Sequence, residues 1–131
     1  QGKISEATKF YKNFISQGFK DHRVFYNYGI ILKNSRELEE AEMSIRKAIE
    51  LDPDFPNAHL NLGIILSDLG KRDNALACLY KASELVKNND LCLSIIGEVL
   101  LAQGNHAEGL SKLKAGAGAI HFDLKNGLSI S

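Results

Sequence analysis

The sequence predicts an all-α fold: a curved stack of helix-turn-helix units that ends in a short β-hairpin. Two observations predict the stack and a third predicts the hairpin. The first is self-similarity. The stretch 56–89, PNAHLNLGIILSDLGKRDNALACLYKASELVKNN, has one copy before it, at 22–55, and another from residue 90. Gly29, Gly63 and Gly97 coincide at a step of 34 residues, with Tyr28, Leu62 and Ile96 before them and Leu32, Leu66 and Leu100 after. The second is the size pattern of the following helix. Ala41, Ala75 and Gly109 coincide, then Ile45, Leu79 and Leu113, then Ala48, Ala82 and Gly116. Small residues recur where a large side chain would hold two helices apart, and large apolar ones recur where a groove must be filled. The third is the tail, where Ile120 to Leu124 and Leu128 to Ser131 alternate around Asn126-Gly127, the pattern of two strands and a turn.

Each element follows in order. Residues 1–21 form a partial unit with a second helix only: Ala7 and Tyr11 stand one step before Ala41 and Ile45. Phe14 stands where Ala48 and Ala82 are small, so this unit is bulkier, and the face of Phe10, Tyr11 and Phe14 lacks the first helix that would cover it. Gly18 ends the helix as a left-handed cap. The first full unit, 22–55, has helices over 23–34 and 37–51. Its turn departs from the pattern, with Ser35-Arg36 in place of Leu69-Gly70, and Asn34 is the residue expected to take up the left-handed conformation. Leu38, Ala41, Ile45, Ala48 and Ile49 make one apolar stripe, and Asp52-Pro53 stops the helix. The second unit, 56–89, opens on Pro56, whose missing N–H is harmless at a first helical position, and turns at Gly70. The third, 90–118, opens on the cap Asn88-Asn89-Asp90 and is degenerate. Gly109 and Gly116 replace alanine, each costing roughly 0.5–1 kcal/mol, so this helix is expected to be short and to fray near 115–118. In the tail, 119–131, a three-residue loop Lys125-Asn126-Gly127 pairs Leu124 with Leu128 and Phe122 with Ile130. Every apolar residue then lies on one face, which must pack on the last helices, another chain or a downstream domain.

Composition narrows the function. The chain has 131 residues, enough for one domain with a modest continuous core. Sixteen basic residues balance sixteen acidic ones, so nothing draws it to nucleic acid or an anionic membrane. The apolar runs are too short to span a bilayer, and the polar start lacks a signal-peptide apolar region. The opening Gln1 inside a partial unit reads as an excised piece, and a signal sequence further upstream stays open. Cys78 and Cys92 sit on different helices with no metal-ligand spacing, as buried reduced thiols do, and a cytoplasmic location is the default for such thiols. His22, His59, His106 and His121 are scattered, with no metal site, phosphate loop, nucleophile elbow or Cys/His dyad. The expectation is a non-enzymatic segment without cofactor.

A repeat of this length with helix-turn-helix content resembles the tetratricopeptide repeat (TPR) family. The resemblance covers residues 22 to about 116 and the preceding partial unit. It implies a right-handed superhelical stack whose first helices line a concave groove where ligands lie. Counted from the repeat glycine, the groove positions hold Tyr26, Leu60 and Ser94; Asn27, Asn61 and Ile95; Ile30, Ile64 and Glu98; and Lys33, Ser67 and Leu101. The candidate ligand-binding residues are Asn27, Asn61, Tyr26, Ile30, Lys33, Leu60, Ile64 and Glu98. Co-chaperone TPRs clamp a C-terminal carboxylate with Lys, Asn, Asn, Lys and Arg. Here those positions hold Tyr26, Ile30, Asn61, Leu91 and Ile95, so only Asn61 agrees and no clamp is expected. The superhelix of O-linked N-acetylglucosamine transferases fits better, because it carries a ladder of asparagines at the positions of Asn27 and Asn61; Ile95 ends the ladder here. An asparagine amide can donate to one backbone carbonyl and accept from one N–H, so a row of them holds an extended peptide. The alternative is that these asparagines bond to a neighbouring helix. The resemblance implies a protein-interaction module for a peptide or protein partner. The other reading is a structural or self-associating segment, through the partial unit or the hairpin, of a larger protein with a transferase or oxygenase domain.

Overall fold

A computed structural model of the chain describes residues 2–86 and 90–116. The described elements are all helices: α1 Gly2–Ser16, α2 His22–Asn34, α3 Leu38–Leu51, α4 Pro56–Asp68, α5 Arg72–Leu85, α6 Asp90–Ala102 and α7 His106–Gly116. The hairpin expected over 119–131 and the cap residues Asn88-Asn89 lie outside the described residues. Three consecutive pairs, α2 with α3, α4 with α5 and α6 with α7, pack along their lengths; α3 then meets α4, and α5 meets α6. The chain is thus a helical stack of the TPR kind.

The repeat glycines set the distance within each pair. A Cβ on Gly29 would lie 2.5 Å from Cδ1 of Ile45, one on Gly63 2.7 Å from Cγ of Leu79, and one on Gly97 2.7 Å from Cγ of Leu113. The three glycines therefore occupy the same environment, each against the large residue of its own second helix. In each unit the bare backbone lets that side chain seat against the first helix, as interior packing density requires. Ala41, Ala48, Ala75 and Ala82 are buried completely on the facing helix. Ser44 adds a polar tie from α3 to α2, donating its buried hydroxyl to the Phe25 carbonyl at 2.7 Å.

The turns repeat as closely as the helices. The N–H groups of Glu37, Lys71 and Asn105 reach back to the carbonyls of Leu32, Leu66 and Leu100 at 2.8, 2.8 and 2.9 Å. Those of Arg36, Gly70 and Gly104 donate to Lys33, Ser67 and Leu101, each at 3.0 Å. Such a pair of bonds closes a helix when the residue between is left-handed. Gly70 and Gly104 have φ of 83° and 91°, and in the first unit Arg36 takes the role with φ of 64°. This corrects the expectation for Asn34, which stays within α2: the cap geometry requires the residue in register with Gly70. At other ends the reasons are local. Asp21 caps α2 by accepting from the Arg23 N–H at 2.9 Å, and Pro56 opens α4.

The core runs through the stack. Ile45, Leu62, Ile65, Leu66, Leu79 and Ile96 are its largest fully buried side chains, each contributing about 1.5–3 kcal/mol relative to exposure. At the N-terminal end α1 rests on α2 through Tyr11, whose ring centre is 6.3 Å from that of Tyr28. Phe10 remains 61% exposed and Phe19 52%, and Phe14 turns to Phe19 with ring centres 4.8 Å apart.

Candidate functional site

The first helices of the three full units lie side by side, since α4 touches both α2 and α6. Their common face carries the groove positions. At its centre is Asn61. Its Oδ1 accepts from Lys33 Nζ at 2.9 Å. Its Nδ2 donates to the Tyr26 hydroxyl at 3.0 Å and to the Asn57 carbonyl at 3.0 Å. Both amide hydrogens of Asn61 are therefore used inside the protein, one of them on its own helix and one across to α2. Tyr26 is held in turn by Phe55, with ring centres 4.8 Å apart, and Phe55 meets the edge of His22 at 5.2 Å. His22 Nε2 lies 3.4 Å from Asp52 Oδ2. Burial pushes the Tyr26 phenol above its ordinary pKa, so the group is neutral, and its oxygen accepts from Asn61.

The apolar candidates are half-buried. Ile30 packs on the core of α2 to α4. Leu60 packs with Ile95 against Leu79, Ile96, Val99 and Leu100. Ile64 follows Leu60 on α4, half-buried as well. Asn27 and Glu98 are exposed. The structure thus joins Tyr26, Lys33 and Asn61 into one hydrogen-bonded chain on the helices that also carry half-buried Ile30, Leu60 and Ile64, and leaves Asn27 and Glu98 apart from it. Sequence reasoning missed Phe55 and the Asn57 carbonyl. An aromatic immediately before a helix-opening proline was the visible signal for Phe55.

Elsewhere the chemistry is sparse. No group of three or more His, Cys, Asp or Glu that could hold a metal occurs among the described residues. Cys78 and Cys92 are free thiols, both pushed upward in pKa by burial. The buried His59 is bonded through Nε2 to the Pro53 carbonyl at 2.7 Å. No described helix is long and apolar enough to cross a membrane. A cleft of about 340 Å³ opens between α1, α2 and α3, floored by Ile15, Phe25 and Tyr28 and edged by Met43 and Lys47.

A side-by-side row of first helices, repeat glycines in one environment and three matching turns describe a TPR stack. The family model of the Cilia and flagella-associated protein 70 middle TPR-like domain matches residues 1–114. The chain belongs to that family. Among curated proteins, this TPR chain is similar to the human Protein O-mannosyl-transferase TMTC3, 28% identical over 107 residues, which is 82% of this chain and 12% of that protein. The Drosophila melanogaster Protein O-mannosyl-transferase Tmtc3 is 25% identical over 108 residues, 82% of this chain and 11% of that protein. The human Tetratricopeptide repeat protein 7A is 33% identical over 85 residues, 65% of this chain and 10% of that protein. The chain thus spans only about a tenth of the length of each of these three relatives. Among solved structures, MamA superposes with a TM-score of 0.83 at 19% identity, covering 88% of this chain and 67% of MamA. YrrB, described as a TPR protein with an unusual peptide-binding site, superposes with a TM-score of 0.85 at 19% identity, covering 91% of this chain and 61% of YrrB. These two likenesses concern the fold.

Proposed function

We propose that this TPR stack is a protein-interaction module that receives an extended peptide, or an extended segment of a partner protein, along the face of α2, α4 and α6. The observation that carries the reading is the make-up of that face: half-buried Ile30, Leu60, Ile64 and Ile95 on the same row of first helices as the bonded chain Tyr26–Asn61–Lys33. Apolar area with a few fixed polar groups is what peptide recognition uses. The peptide-binding description of YrrB supports it. The right-handed superhelical curvature implied by the resemblance would make the face concave. In this reading the segment does no chemistry of its own, works with reduced thiols in a cytoplasmic setting, and needs neither cofactor nor metal. Asn27, whose amide has no bond among the described residues, offers it to ligand backbone, whereas Asn61 serves by ordering its neighbours.

The test is selection from a random peptide library against the purified chain, repeated with Ile64→Arg. Peptides that bind the native chain and lose binding on Ile64→Arg place the ligand on this face. Peptides indifferent to it remove the reading. Unchanged binding after Asn27→Ala would take the asparagine out of ligand contact.

A second reading rests on a different observation, the exposed Phe10 and Phe19 at the N-terminal end. In it the segment is an internal stretch of a longer stack, and the isolated chain self-associates through this face. The O-mannosyl-transferase relatives, matched over 12% of their length or less, are consistent with such a stretch inside a larger transferase. Light scattering across concentration decides: a monomer at the highest concentration removes self-association.

A further inference from the structure

We propose that Lys33 is the charge anchor of the groove, and that the ligand presents a carboxylate to it beside an apolar side chain. This deepens the groove reading and rests on it. Arg23, Arg36, Arg46, Lys47 and Lys71 each pair with a carboxylate of the protein, at 2.9 to 3.4 Å. Lys33 is different. It is half-buried, and among the described residues its ammonium has one partner, the neutral Oδ1 of Asn61. A lysine carries three N–H donors, so two remain. A cation partly withdrawn from water gains more from a counter-charge than an exposed one does.

The ammonium is also positioned. Asn61 gives both Nδ2 hydrogens away, to Tyr26 and to the Asn57 carbonyl, so its oxygen is the end left to face Lys33. Tyr26 is fixed by Phe55. The Tyr26–Asn61 pair therefore works as a bracket that holds Lys33 on the face. Bringing an anion to it does not require freeing a charge that is already paired. The corresponding positions of the next units are Ser67 and Leu101, and α6 carries an exposed Glu98. Charge on the face is thus graded from positive on α2 to negative on α6, with Ile64 and Leu60 between. A ligand matching this gradient sets its carboxylate at α2 and an apolar side chain over α4.

The carboxylate is either an Asp or Glu side chain or the free end of a peptide. The experiment uses the whole chain and two random peptide libraries, one with free and one with amidated C-termini. Selected peptides are measured against the native chain, Lys33→Gln, Lys33→Arg and Ile64→Arg, each first shown by circular dichroism to keep its helix content. The expected result is an acidic group at one fixed offset from an apolar residue. Binding falls about tenfold on Lys33→Gln, is retained on Lys33→Arg and is lost on Ile64→Arg. Raised salt should weaken the native complex more than the Lys33→Gln complex. Persistence of the acidic preference with amidated ends assigns it to a side chain; its disappearance assigns it to the terminus. Peptides lost on Ile64→Arg but indifferent to Lys33→Gln overturn the anchor and leave the groove standing. Peptides indifferent to Ile64→Arg overturn both.

Discussion

At Gly97 there is no room for a side chain. A Cβ there would meet the Gly109 carbonyl and the Leu113 N–H nitrogen at 2.8 Å each, and backbone atoms cannot step aside as a side-chain tip can. At Gly29 the nearest atoms are Cδ1 and Cγ1 of Ile45, with the Ile45 backbone nitrogen further off at 3.4 Å, so the clash falls on a side chain. The same substitution should therefore have graded effects. Gly97→Ala is expected to destabilise by about 2–3 kcal/mol, and Gly29→Ala by about 1 kcal/mol or less, once the gain of about 0.5–1 kcal/mol in helix preference is set against the clash. Urea midpoints at constant slope give both values. Gly109 inverts a simple rule. By preference alone alanine would improve α7, but its Cβ would lie 2.8 Å from Leu101 Cγ and 3.0 Å from the Gly97 carbonyl. Gly109→Ala should lower stability, and a raised urea midpoint would contradict the close approach of α6 and α7. Arg36 is the reverse case. It holds a left-handed φ of 64° where the other units have glycine, and loses only an exposed 3.4 Å pair with Asp68 if replaced. Arg36→Gly is expected to raise stability by about 0.5–1 kcal/mol. The position was legible: Gly70 and Gly104 step back to it. Reading the turn by residue type, as an asparagine, overlooked its register.

Between elements, one acidic side chain straps two units together. Glu42 on α3 accepts from Arg46 of its own helix at 2.9 Å and from Lys71, at the start of α5, at 3.3 Å. Burial alone would raise its pKa, but the bonds and charges of Arg46 and Lys71 together outweigh it and leave the carboxyl below its ordinary 4.5. A carboxyl lowered in the folded state contributes stability that is present above about 4.5 and is lost as pH falls through the lower folded value. Glu42→Gln should thus cost about 0.5–1 kcal/mol at neutral pH. It should also cost nothing below the folded value, which thermal melts along a pH series would show as converging curves. The face of the first helices was legible because one register places every groove position. The bonded chain upon it was not. Tyr26 and Asn61 are 35 residues apart, and Lys33 and Asn61 are 28 apart, offsets that match neither each other nor the period. Which of two adjacent-unit polar groups meet depends on how far the helices lean, and periodicity carries no lean. The same gap explains Phe55, a residue between helices that the repeat pattern does not constrain.

Across the whole molecule, stability in a stack is the sum of each unit and its contacts with neighbours. The interior helices are bounded on both sides: α4 meets α3 and α5 along its length and touches α2 and α6 as well, and it buries Leu62, Ile65 and Leu66 almost completely. Among the described helices α1 packs chiefly on α2 and leaves Phe10 61% exposed. Opening α1 therefore breaks one interface, whereas opening α4 breaks most of the core. Amide exchange should be slowest in α4 and fastest in α1 among these helices; equal protection in the two would mean that α1 is covered in solution. That cover can be identified by one substitution. Phe10→Ser removes apolar surface that the folded chain hardly buries, so the urea midpoint should move by less than about 0.5 kcal/mol. If α1 is protected because copies of the chain meet there, the same substitution returns the molecule to a monomer in sedimentation and restores fast exchange in α1. If protection in α1 is slow and survives Phe10→Ser in a monomer, the cover comes from within the chain, and the N-terminal face is closed rather than a surface for association.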